Sequence, residues 1–155
     1  MLRQLLLISV LIFSFGCRRT PDERTPQNEA VDAIVMPQRN YDSDRLTNPI
    51  KGQWPAIQLF IQTFEAMYEV ERRVDLVLAI DNSLKSIENI ENQQRPDYIP
   101  SMGFLSRLDL LKTELLKLRA SLEEGAFELD KVDAATKAYI ALLKYIQIFG
   151  SRASG

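Results

Sequence analysis

Between residues 56 and 95 the chain has neither glycine nor proline, and its apolar residues return every third or fourth position. Ile57, Phe60, Phe64, Met67, Val74, Val77, Ile80, Leu84, Ile87 and Ile90 make one stripe, interrupted only at Glu71. Steps of three and four place side chains on one face of an amphipathic helix. Pro55 suits the first helical position, where its missing N–H costs nothing. The spacing therefore predicts one continuous helix of nearly forty residues, ~57 Å long. Asp81, Asn82 and Ser83 are poor interior residues and good caps, so a break near Asp81 is the alternative.

Two further helices follow. Pro96 and Pro100 each push the preceding residue out of the α region, which makes residues 95–101 a loop. The next stripe is Phe104, Leu108, Leu111, Leu115, Leu118 and Leu122. It ends at Gly125, which can take the left-handed terminal conformation. Asp130 is a good N-cap for a third helix, with Asp133 three residues on. That helix carries Val132, Ala135, Tyr139, Leu142, Ile146 and Phe149, and Gly150 is expected to stop it. Asp133 and Lys137 have the spacing of a favourable surface pair. No segment alternates with period two. The expected class is all-α: an antiparallel three-helix bundle, or four helices if the first breaks near Asp81.

Residues 1–16, MLRQLLLISVLIFSFG, carry a basic start at Arg3, an apolar run of about eleven residues, and a small residue, Gly16, before Cys17. The run is too short to span a bilayer, which needs roughly 20 residues. Cys17 is the only cysteine, and Arg18 and Arg19 behind it make a poor setting for a buried thiol. This start resembles the signal of bacterial lipoproteins. The resemblance rests on Gly16 and Cys17, while Ser14 and Phe15 depart from the usual aliphatic and small residues. Ordinary cleavage, or none, is the alternative. The resemblance implies that Cys17 takes a diacylglycerol with palmitate-type chains and becomes the first mature residue. Each buried methylene then adds ~0.8 kcal/mol of anchoring. With Arg18 rather than Asp behind the cysteine, it also implies the bacterial cell envelope, at the outer membrane facing the periplasm.

Composition divides what remains. Residues 18–51 hold Pro21, Pro26, Pro37 and Pro49 and a single aromatic, Tyr41. Such a segment buries too little to fold alone and reads as a flexible tether. Its one apolar island, residues 30–36, is a candidate for docking on the domain or a partner. The expected organisation is a signal peptide at 1–16, a lipidated cysteine and tether at 17–52, a helical domain at 53–150 and a disordered tail at 151–155. Without Arg3 the charges are 18 basic against 21 acidic, a net of −3. That field is too weak to suggest nucleic acid.

Histidine is absent. This removes the usual general acid–base side chain and the commonest metal ligand, together with Ser–His and Cys–His nucleophilic pairs. No catalytic residue, metal site or cofactor is expected, and the chain does not read as an enzyme. Glu65 with Glu69, and Glu71 with Asp75, lie one turn apart but read as a solvated face beside Arg72 and Arg73. Phe60, Phe64 and Tyr68 line either a core or a hydrophobic ligand pocket.

The last helix is the most informative. Across residues 139–150 only Lys144 and Gln147 are strongly polar. A helix that is apolar all round is either central or meets something outside its own domain. A folded first helix covers it, or Ile140, Leu143 and Ile148 form a surface for a protein partner or self-association. The leading reading is a lipid-anchored, non-enzymatic helical module that presents this surface at a bacterial membrane. The alternative is a carrier that holds a lipid-like ligand between its helices.

Overall fold

The computed structural model describes residues 32–50 and 52–153. The expectations for the signal segment, for Cys17 and for residues 18–31 lie outside the described residues. So do residues 154–155 of the expected tail, whose preceding residues continue the last helix.

The protein is all-α. Five α-helices occur among the described residues: α1 Ser43–Thr47, α2 Pro55–Glu65, α3 Arg73–Asn92, α4 Ser101–Glu123 and α5 Leu129–Ala153. Four of them are long. No strand forms among the described residues; Ala33 and Arg72 make one isolated antiparallel bridge.

The expected forty-residue helix is two helices, and the break is not near Asp81. After α2 the chain makes a 3-10 turn at Ala66–Glu69, then runs extended through Val70 and Arg72 before α3 begins. Folding back lets α2 and α3 bury Phe60, Phe64 and Met67 with Leu76, Ile80 and Ile87 in a shared core. A continuous rod would leave half of that stripe in water. The extended stretch is also held from outside, since the Ile34 amide donates to the Glu71 carbonyl at 2.9 Å. Asp81, Asn82 and Ser83 therefore lie inside a helix. Asp81 accepts from Arg119 of α4 at 2.6 Å. Buried Ser83 returns its hydroxyl to the Ala79 carbonyl, the bond that makes a mid-helix serine tolerable.

Consecutive long helices run in opposite directions. Arg119 meets Asp81 and Lys112 meets Glu91, which places α4 against α3. The Tyr145 hydroxyl, near the end of α5, donates to the Pro100 carbonyl at the start of α4. Thr63 of α2 donates to Ser86 of α3 at 3.2 Å. Between α4 and α5, Gly125 takes φ +89°, the left-handed conformation expected of it. Helix α5 begins at Leu129, which puts Asp130 in its first turn rather than at the cap.

The packed unit starts at Asp32, not at residue 53. Residues 32–50 form a strap across the helices. Ile34, Met36, Tyr41 and Leu46 are half-buried against the core, while Thr47 and Ile50 are fully inside it. Asp42 caps α1 by accepting from the Arg45 amide at 3.0 Å. Low apolar content argued for a tether, but a few well-placed residues suffice when a preformed helical surface receives them. Gly150 does not stop α5, which continues to Ala153. A β-carbon at Gly150 would lie 2.6 Å from Ile50 Cγ2, so the missing side chain makes room for the strap.

Candidate functional site

Helix α5 presents apolar side chains all round because it is covered from two directions. Val132, Ala135, Tyr139, Leu142 and Ile146 face the other long helices and are buried. About 80° round the helix, Ile140, Leu143, Gln147 and Gly150 form a second stripe. This stripe receives the strap. Gln147 Nε2 donates to the Arg45 carbonyl at 3.4 Å, and Ile50 fills the space left by Gly150. Leu143 is consequently 0% exposed and belongs to the core, not to a contact surface. The sequence spacing places it off the main stripe, but the element that covers it lies in the segment whose composition reads as a tether. Ile140 is half-buried at the strap's edge, and Ile148, on the opposite side of α5, is 51% exposed. The three expected contact residues thus go to three environments.

Beneath the strap lies a polar and aromatic network. Glu65 accepts from Arg39 of the strap at 3.1 Å and from the Tyr139 hydroxyl at 3.3 Å. The Tyr139 ring stacks on Phe64 at 3.9 Å and meets Tyr41 edge-on at 5.5 Å. The Tyr68 hydroxyl is hydrogen-bonded to Thr136. Burial pushes the Tyr139 hydroxyl well above the usual phenol range, and Glu65 adds to the effect. Tyr41 is raised in the same way, by burial first and then by Tyr68 and Glu65. Both hydroxyls therefore stay protonated, and that of Tyr139 donates to Glu65. Phe60 and Phe64 pack on one another and on Tyr139, so these rings are core.

The carboxylates are separated rather than paired. Glu65 is taken by Arg39 and Tyr139, while Asp75 is held bidentately by Arg72 at 2.7 and 2.9 Å. That contact keeps the Asp75 carboxyl below its usual range. Glu71 is exposed, and its contribution to the fold is its backbone carbonyl. Arg73 pairs with Asp32 at 3.3 Å rather than with Glu69. Asp133 and Lys137 form the expected pair at 2.6 Å.

A different apolar surface emerges where α2 folds back on α3. Leu59 and Thr63 on one helix, Ala66 and Val70 in the connection, and Leu78 and Ala79 on the other helix line an open groove of about 380 Å³. Leu59 is 46% and Leu78 61% exposed, and neighbouring Val74 is 55% exposed. Beside the groove the Thr63 and Ser86 hydroxyls are hydrogen-bonded to one another, and Ser86 donates to the Asn82 carbonyl. The sequence held one signal for this groove, the surplus apolar residues Leu59 and Leu78 lying off the core stripe. Bringing them together required knowing where the helix turns. Among the described residues no helix is long and apolar enough to cross a membrane.

Comparison with known proteins adds no relative: no family model, no curated protein and no solved structure matches this chain.

Proposed function

We propose that this protein is a lipid-anchored, non-enzymatic helical module, attached through Cys17 to a bacterial membrane, that presents an interaction surface to another protein. The observation that carries the reading is the α2–α3 groove, an apolar channel left open beside half-exposed Leu59, Val74 and Leu78. Exposed apolar residues scattered singly need no explanation, whereas a contiguous set along a groove suits an interface. This surface takes the place of the Ile140–Leu143–Ile148 patch, which the strap divides. The start of the packed unit at Asp32 limits the reach of the anchor. Fifteen peptide links separate Cys17 from Asp32, and they span at most about 55 Å.

Two measurements test this separately. Cys17→Ala should abolish incorporation of labelled palmitate and, where another peptidase then removes residues 1–16, shift the protein out of the membrane fraction; unchanged labelling sinks the anchor. In cells carrying the anchored protein, Leu59→Lys with Leu78→Lys should eliminate in vivo crosslinks formed from a photoreactive residue at Gln62. Crosslinks that persist with the same partner would mean that the groove is not the contact surface.

A further inference from the structure

The strap and α5 also enclose a cleft, of different chemistry from the α2–α3 groove. It is lined by Tyr41, Leu46 and Ile140 on its apolar wall and by Arg45, Lys144 and Gln147 on its polar side, with Asn40 and Asp42 at the rim. Its volume is about 460 Å³, inside the roughly 300–1,000 Å³ range of small-molecule sites.

Two cations face this cleft against a single carboxylate. Among the described residues neither Arg45 nor Lys144 forms an ion pair. Elsewhere Arg39 is held by Glu65, and Arg119 by Asp81 and Glu123. The one acid at the rim, Asp42, is committed to the amide of Arg45 as the cap of α1. Two positive charges and one negative leave the lining at +1. A guanidinium offers a planar fork to a carboxylate, and an ammonium adds a point charge beside it. The apolar wall lies next to these groups, so a ligand that uses both must carry its charge at one end.

We infer that this cleft binds a small organic carboxylate with a compact hydrocarbon body, its head between Arg45 and Lys144 and its body against Ile140, Leu46 and the Tyr41 ring. A single negative charge matches the +1 lining. A dianion such as a phosphate monoester would keep one charge uncompensated. Nothing in this assignment depends on the anchor at Cys17 or on the α2–α3 groove.

The test is a calorimetric titration of the full chain in non-ionic detergent, with empty micelles as the blank. Hexanoate supplies head and body, hexanol the body alone, and acetate the head alone. Hexanoate should bind at least ten-fold more tightly than either. Arg45→Gln and Lys144→Gln should each weaken it about ten-fold, while Lys144→Arg retains most of the affinity. Both altered side chains are exposed, so the melting temperature should not move. Ile140→Ala should weaken hexanoate and leave acetate unchanged. Absence of measurable hexanoate binding overturns the assignment. So does hexanol binding as tightly as hexanoate, or full affinity in both glutamine variants.

Discussion

The contact between Ile50 and Gly150 allows the strap to be tested with one truncation and one added methyl. Ile50 is 0% exposed, so Ile50→Ala empties a buried site at a cost of about 2–5 kcal/mol. Gly150→Ala does the reverse and adds a carbon where the strap already sits. The new Cβ would lie 2.6 Å from Ile50 Cγ2 and 3.3 Å from Pro49 Cβ, so the strap must shift. Overpacking of this kind costs about 1–3 kcal/mol. A helix-interior alanine regains about 1 kcal/mol over glycine, and the net single effect is a loss of roughly 0–2 kcal/mol. In the Ile50→Ala background Cγ2 is gone, and Gly150→Ala should instead stabilise by about 1 kcal/mol. The cycle thus carries a coupling of roughly 1–3 kcal/mol, in the range found for residues in direct contact. Urea denaturation of residues 32–155, followed by circular dichroism, measures all four corners. If the two changes add to within about 0.5 kcal/mol, as distant sites do, or if Gly150→Ala alone stabilises the parent, the strap does not pack on α5 as described.

Other expectations follow from the same surfaces. Leu143→Lys buries an ammonium under the strap and should abolish the cooperative melt, whereas Ile148→Lys should stay within about 0.5 kcal/mol of the parent. Equal melting of the two variants would remove the distinction between a covered and an open side of α5. Alkaline pH should destabilise the fold through Tyr139. Its folded-state pKa is raised, so the stabilisation is complete below the ordinary phenol value near 10. Above that, unfolded chains lose protons that the folded state keeps, and stability falls by at most about 1.4 kcal/mol per pH unit for this group. Tyr139→Phe should flatten that limb of a pH–stability curve; an unchanged slope would assign the alkaline loss to other groups.

Much of the helical content was legible because it rests on periodicity. The stripes through Phe104 and Leu122 and through Val132 and Ile146 are buried as their spacing requires, and Gly125 adopts the left-handed turn between them. What escaped has a common cause: it depends on tertiary contacts rather than on local preference. Asp81, Asn82 and Ser83 look like a helix break in isolation. Inside the fold one pairs with Arg119 and another bonds back to Ala79, so the helix runs through them. The real break, at Val70 to Arg72, contains no glycine or proline. It is marked in the sequence only by Glu71, out of place in an apolar stripe, and its extended backbone is completed by residues 33 and 34. Gly150 misled for the same reason, since a residue read as a stop signal is instead a clearance for Ile50.

The strap also explains why the last helix can be apolar on nearly every side while leaving its far face to Ile148 and Lys144. Its two edges have different jobs. Inward-facing Thr47 and Ile50 complete the core, and the Thr47 hydroxyl is satisfied by the Ser43 carbonyl. Arg45 points its charge away from that core while its backbone carbonyl receives Gln147. One short helix therefore contributes backbone and apolar contacts to stability, and to the cleft a guanidinium that forms no ion pair among the described residues. Changes to Ile50 or Leu46 must act on both, because the wall moves with the core. Changes to the Arg45 or Lys144 side chains act on the cleft alone. That separation is what allows binding at the cleft to be measured without first unfolding the protein that holds it.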